Sequence, residues 1–250
     1  MPLERLRQIM RRLRDPVSGC EWDTAQTFET IAPYTIEEAY EVADAIARND
    51  MESLADELGD LQLQVVFHAQ MAEEAGQFTL EDVISRICDK MERRHPHIFG
   101  DLERGRHHLW EEIKAAERQK SSDDSALAGV ALALPALERA AKLQRRAARI
   151  GFDWPDTSGP RAKIDEELAE LDAESDHHRM LDELGDLLFA VVNLARHVNI
   201  EPEAALRDAN RKFEQRFRAI EKTAGFAELS LDQKEELWTA AKKAQADSIA

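Results

Sequence analysis

Asp56-Glu57-Leu58-Gly59-Asp60-Leu61 recurs unchanged as Asp182-Glu183-Leu184-Gly185-Asp186-Leu187, 126 positions further on. Val65-Val66 returns at the same offset as Val191-Val192. Upstream, Glu37-Glu38 with Glu41 reappears as Glu166-Glu167 with Glu170, at an offset of 129. Downstream, Lys90 and Arg94 return as Lys212 and Arg216 at 122, and Leu109-Trp110 with Lys114 returns as Leu237-Trp238 with Lys242 at 128. Five features in one order, met twice, mark a duplicated supersecondary unit, and such a repeat reports the architecture directly.

The spacing within each copy is helical. Leu54, Leu58, Leu61 and Val65 follow one helix face, and sustained two-residue alternation is absent, so the expected fold class is all-α. Asn49-Asp50 is a natural turn between two acid-bearing helices. Thr79 with Asp82, and Ser230 with Gln233, have the spacing of N-terminal caps with a reciprocating side chain. Ser121-Ser122-Asp123-Asp124-Ser125 is polar and turn-prone, and Pro135 stops the Ala/Leu-rich run that follows. The expected domains are 1–120 and 135–250, with 121–134 as the linker.

Composition limits what the chain can bind. Asp and Glu number 50 against 33 Lys and Arg, a formal net charge of −17, which disfavours a nucleic-acid polymer as partner. No run approaches the roughly 18 apolar residues of a membrane span, and the basic amphipathic start, MPLERLRQIMRRLRD, lacks the apolar core of a signal peptide. That start reads as a first packing helix rather than a membrane-surface helix, and the protein as cytoplasmic. Cys20 and Cys88 form no CxxC pair and stand beside no His cluster, so they read as buried or incidental thiols.

The repeated acids carry the chemistry. Residues three apart on a helix project from the same side, so Glu38 with Glu41 forms one carboxylate pair and Glu57 with Asp60 another. At about 100° per residue, Glu57 and Asp60 border the apolar stripe of Leu54, Leu58, Leu61 and Val65. Carboxylates crowded there repel one another and need protons, basic partners or a cation. Oxygen donors without His or Cys suit magnesium, or manganese, better than zinc. One such pair alone is usually a solvated helix face; the whole constellation repeated in order is not.

Cofacial bases accompany the acids: Lys90 with Arg94, and Lys212 with Arg216. Beside a magnesium-carboxylate cluster they suit a polyphosphate, because a guanidinium forks onto phosphate oxygens. Trp110 with Lys114, and Trp238 with Lys242, share helix faces and offer stacking and a cation, although core packing by the Trp fits equally. No GxxxxGK[ST] loop is present.

At these residues the chain resembles the MazG family of nucleoside triphosphate pyrophosphohydrolases. Both halves match its Glu-Glu-x-x-Glu cluster followed by Glu-x-x-Asp: Glu37-Glu38-x-x-Glu41 with Glu57-x-x-Asp60, and Glu166-Glu167-x-x-Glu170 with Glu183-x-x-Asp186. Further likeness lies in Trp22-Asp23-x-x-Gln26-Thr27, in Glu92-Arg93-Arg94-His95-Pro96-His97, and in Lys142-Leu143-Gln144 leading to Gly151-Phe152-Asp153-Trp154-Pro155. Glu21 departs from the Pro that commonly precedes the Trp-Asp pair.

The resemblance implies an all-α fold of two tandem domains whose four-helix-bundle sites are completed in a homodimer. It also implies magnesium dependence and broad action on ribo- and deoxyribonucleoside triphosphates, with the C-terminal half carrying the activity. On that basis Glu167, Glu170, Glu183 and Asp186 are expected to hold the metal, and Glu166 to orient or deprotonate the attacking water. Lys212 and Arg216 are expected on phosphate oxygens, with Lys163, Trp238 and Lys242 as further substrate contacts. Glu38, Glu41, Glu57 and Asp60 form the second metal set. Two rival readings are a di-iron carboxylate protein, drawing on Glu92-x-x-His95 and Glu174-x-x-His177, and a non-enzymatic helical scaffold whose acids make solvated salt bridges.

Overall fold

The computed structural model describes residues 2–100, 123 and 125–247, and among them every regular element is helical. Contacts divide the chain into two compact units, Met1–Ala115 and Ala116–Ala250. The first contains α1 (Pro2–Leu13), α2 (Glu21–Ala25), α3 (Phe28–Arg48), α4 (Met51–Glu74), α5 (Leu80–Arg94) and α6 (Pro96–Phe99). The second contains α7 (Ala136–Ala148), α8 (Ser158–Ala173), α9 (His177–His197), α10 (Pro202–Ile220), a 3-10 turn at Phe226–Glu228, and α11 (Leu231–Asp247). Leu109-Trp110, Lys114 and linker positions 121, 122 and 124 lie outside the described residues.

The turns explain how each acidic hairpin closes. Asn49 takes the left-handed conformation at φ 54°, a region Asn tolerates better than most residues, and its N–H donates to Ala45 and Ile46. Asp50 then caps α4, its carboxylate accepting the Ser53 N–H at 3.1 Å. So short a connection leaves α3 and α4 as antiparallel neighbours. In the second unit Asp176 does the same for α9, accepting from the His178 and Arg179 amides at 3.0 and 3.2 Å.

The predicted cap of α5 forms reciprocally. The Thr79 N–H donates to Asp82 at 2.8 Å and the Asp82 N–H donates to the Thr79 hydroxyl at 3.2 Å. Ser230 and Gln233 repeat the pattern at 2.9 and 3.3 Å. Replacing Thr79 by Ala should cost about 1 kcal/mol, read as a lower urea midpoint at an unchanged slope; an unmoved midpoint would show that the cap contributes nothing.

Met10, Ile31, Val66, Phe67, Ala69, Met71 and Leu80 make the core of the first unit. The basic N-terminal stretch is indeed a packing helix: it buries Met10 against α4 and sends Arg7 to Glu81, Arg11 to Glu73 and Arg14 to Glu74. The expected apolar stripe is not wholly core. Leu58 is 50% exposed and Val65 42%, and their repeats Leu184 and Val191 are each 45% exposed. Among the described residues, the flank of each two-helix hairpin that carries this stripe is left half exposed. Cys20 and Cys88 are free and exposed, so of the two expected readings, buried or incidental thiols, burial does not hold. No described helix is long and apolar enough to cross a membrane.

Candidate functional site

In the second unit Glu166, Glu167 and Glu170 of α8 bring one oxygen each within 4.8 Å of one another, and Glu167 forms a second such group with Glu183 and Asp186 of α9. Glu167 belongs to both groups and is 3% exposed. Helical geometry accounts for the convergence: positions 163, 166, 167 and 170 share one side of α8, and 183 and 186 one side of α9. Lys163, one turn before the cluster, places Nζ 2.5 Å from Glu167 and 2.8 Å from Glu166. These ion pairs hold its ammonium well above the usual lysine range. Desolvation, and then the charges of Glu170, Glu167 and Asp186, push the Glu183 carboxyl up.

The first unit repeats the arrangement with Glu38, Glu57 and Asp60, again within 4.8 Å. Glu41 is not a member of this group, but its carboxylate lies near enough to raise both Glu38 and Glu57. Desolvation and then Asp60 raise Glu38; desolvation and then Glu41 and Asp60 raise Glu57. Gln64 of α4 braces Glu38 from the side, its Nε2 3.4 Å from the carboxylate. Carboxylates that repel one another and offer only oxygen fit a hard divalent cation. Neither Glu-x-x-His motif joins these groups, and His95 Nδ1 is 2.7 Å from the Met91 carbonyl, so the donor set does not fit the di-iron alternative.

Beside the second cluster lies a cavity of about 660 Å³. Lys163, Glu167 and Asp186 line it, and Phe152 and Trp154 contribute from the loop that joins α7 to α8. Gly151, at φ 86°, turns the chain out of α7, a conformation that favours glycine. Gly159 has no side chain where the Trp154 indole rests, and a β-carbon there would collide with the ring. Asp153 anchors the loop by its ion pair with Arg196 and a 3.1 Å contact to His197 Nε2. Arg196, foremost, holds the Asp153 carboxyl below its ordinary range. The Arg196 guanidinium also donates to Asn193 at 2.7 Å.

Of the expected substrate contacts, Lys163 lines this cavity. Arg216 instead sits 5.7 Å over the Trp238 ring and donates to Gln245 at 2.7 Å, and Trp238 lies 5.1 Å from Phe213 where α10 meets α11. Lys212 and Lys242 are exposed on those two helices. Gln144, Asn193 and Arg196 line the cavity, and sequence reasoning gave none of them a role. A signal was available: positions 183, 186, 190, 193 and 197 advance by three or four along one face of α9, carrying the acidic stripe onward to Asn193.

Paired acidic helices beside a cavity define an all-helical protein whose carboxylate clusters could hold a metal ion. The MazG nucleotide pyrophosphohydrolase domain matches residues 26–99 and 164–220, which span both hairpins. The chain belongs to the MazG family. It is 49% identical over 260 residues to a nucleoside triphosphate pyrophosphohydrolase of Escherichia coli, covering 98% of each chain. It is 46% identical over 244 residues to the nucleoside triphosphate pyrophosphohydrolase/pyrophosphatase MazG of Thermotoga maritima, covering 96% of this chain and 95% of that relative. A nucleoside triphosphate pyrophosphohydrolase of Mycobacterium tuberculosis is 35% identical over 162 residues, 62% of this chain and 46% of its own.

Proposed function

We propose that this chain hydrolyses ribo- and deoxyribonucleoside triphosphates to the monophosphate and pyrophosphate in the cytoplasm, with magnesium, or manganese in its place, and with residues 135–250 as the main catalytic domain. Family membership and the activity named for its full-length relatives support the reaction. The observation that carries the choice of half is the cavity, which opens onto Glu167, Asp186 and Lys163 of the second cluster.

Glu167, Glu170, Glu183 and Asp186 would hold the cation. When bound, it lowers the pKa of water and offsets charge on the phosphates. Glu166, exposed and ion-paired with Lys163, would orient the attacking water or take its proton. Lys163 supplies positive charge at the junction of cluster and cavity. Lys212, Arg216, Trp238 and Lys242 remain the proposed outer contacts for phosphate and nucleoside. Glu38, Glu41, Glu57 and Asp60 form a second cation set in the first unit.

The same chain is proposed to act as a homodimer. Supporting this, the exposed stripes of Leu58 and Val65 and of Leu184, Leu188 and Val191 lack cover, and a second copy would supply the missing helices of each bundle. Hydrolysis in oxygen-18 water tests the chemistry. Label should enter the monophosphate, as attack at the α-phosphorus requires. Label in the pyrophosphate would contradict that reading, and no pyrophosphate release from mixed nucleotides with magnesium would favour the scaffold alternative.

A further inference from the structure

We propose that the cavity of the second unit takes the nucleobase, and that Gln144 and Asn193 read the hydrogen-bonding edge of that base. This rests on the triphosphate reading above and adds which residues select the substrate. The cavity, at about 660 Å³, falls within the ordinary size of a small-molecule site and is continuous with Lys163, Glu167 and Asp186. Whatever fills it is therefore joined to what the acids hold. Leu143, Phe152, Trp154 and Phe189 supply apolar and aromatic wall, which suits a flat heterocycle.

Two buried amides interrupt that wall. Gln144 is 5% exposed, and its Nε2 donates to the Phe189 carbonyl at 2.8 Å. A carbonyl oxygen can only accept, so the amide cannot flip, and Oε1 is left buried without a partner. Asn193 is 9% exposed and its Oδ1 accepts from Arg196 at 2.7 Å, so its amide N–H groups are what it has left to offer. An unpartnered buried acceptor is unfavourable unless a ligand completes it. Acceptor and donor in one cavity match the N–H and the neighbouring acceptor that every common base presents on its pairing edge.

The duplication supplies an internal control. Leu3-Glu4-Arg5 and Arg11-Arg12 recur as Leu137-Glu138-Arg139 and Arg145-Arg146 at an offset of 134, which sets Met10 opposite Gln144. The offset of 126 between α4 and α9 sets Phe67 opposite Asn193. Met10 and Phe67 are 1% and 3% exposed members of the first unit's core. Where one copy fills the space with apolar side chains, the other lines it with amides. That exchange is what a ligand site requires and a packing site does not.

The test uses the full chain, no metal, and two probes: uridine 5′-monophosphate and its N3-methyl analogue, which lacks the N–H. Calorimetry should show wild type preferring the unmethylated nucleotide by about tenfold or more. Gln144→Met, which copies the first unit, should lose that preference while Gln144→Asn keeps part of it. Equal binding of both probes by wild type, or an undiminished preference in folded Gln144→Met, overturns the proposal. If Gln144→Met fails to fold, the wild-type comparison still decides. The triphosphate reading fails by a different result, the absence of pyrophosphate release from any nucleotide.

Discussion

Glu167→Gln is expected to lower pyrophosphate release by at least about 10²–10³-fold, with an unchanged helical circular dichroism spectrum. The side chain keeps its volume and loses its charge, so packing at this 3% exposed position is preserved. What disappears is the one carboxylate shared by the two groups of the second unit, Glu166-Glu167-Glu170 and Glu167-Glu183-Asp186. Lys163 also loses its 2.5 Å partner and is left with Glu166. Glu170→Gln and Asp186→Asn should act in the same direction. The equivalent change in the first unit, Glu38→Gln, should leave most of the turnover, because Met10 and Phe67 occupy the core positions opposite Gln144 and Asn193. Retained turnover in Glu167→Gln would reject the assignment, and a loss confined to Glu38→Gln would move the chemistry to the first unit.

The fold class and the acidic hairpins were legible because periodicity and caps are local. Asn49-Asp50, Thr79 with Asp82 and Ser230 with Gln233 depend on neighbours within a few residues, and each forms as read. The acidic clusters were legible for a different reason: duplication separates a repeated pattern from the background of common acidic pairs. Burial was not legible. The stripe through Leu58 and Val65 is apolar and helical in spacing, yet periodicity says only that a face wants cover, not that the same chain supplies it. The cavity was hidden too. It depends on Gln144, Phe152 and Asn193 meeting across separate elements, and no spacing rule reports a contact between positions 45 residues apart such as that of Gln144 with Phe189. Arg216 and Trp238 illustrate the same limit: spacing paired Lys212 with Arg216 and Trp238 with Lys242, each on one helix, and could not report that Arg216 rests over the Trp238 ring.

Magnesium should raise the thermal midpoint of the chain, and the gain should grow as pH rises above the ordinary carboxylate range. The Glu183 carboxyl is raised above its ordinary value of 4.5, by desolvation first and then by Glu170, Glu167 and Asp186. A raised carboxylate pKa means that the fold favours the protonated form. Between the ordinary value and the raised one, increasing pH makes the folded chain hold ionised carboxylates in mutual repulsion that the unfolded chain escapes. Stability without a cation therefore falls through that window. Glu38 and Glu57 are raised in the first unit and add in the same sense. A bound divalent cation replaces the protons and removes the repulsion. At about a hundred times its dissociation constant a ligand adds about 2.7 kcal/mol, equivalent to roughly 5–10 °C for a chain of this length. Calorimetric scans in chelator and in magnesium, across pH, give the difference directly. In Glu183→Gln the dependence on pH in chelator should flatten, since the group that titrates is gone, and the magnesium gain should shrink with it. A midpoint indifferent to magnesium, or a gain that declines as pH rises, would mean that neither hairpin's carboxylates hold a cation.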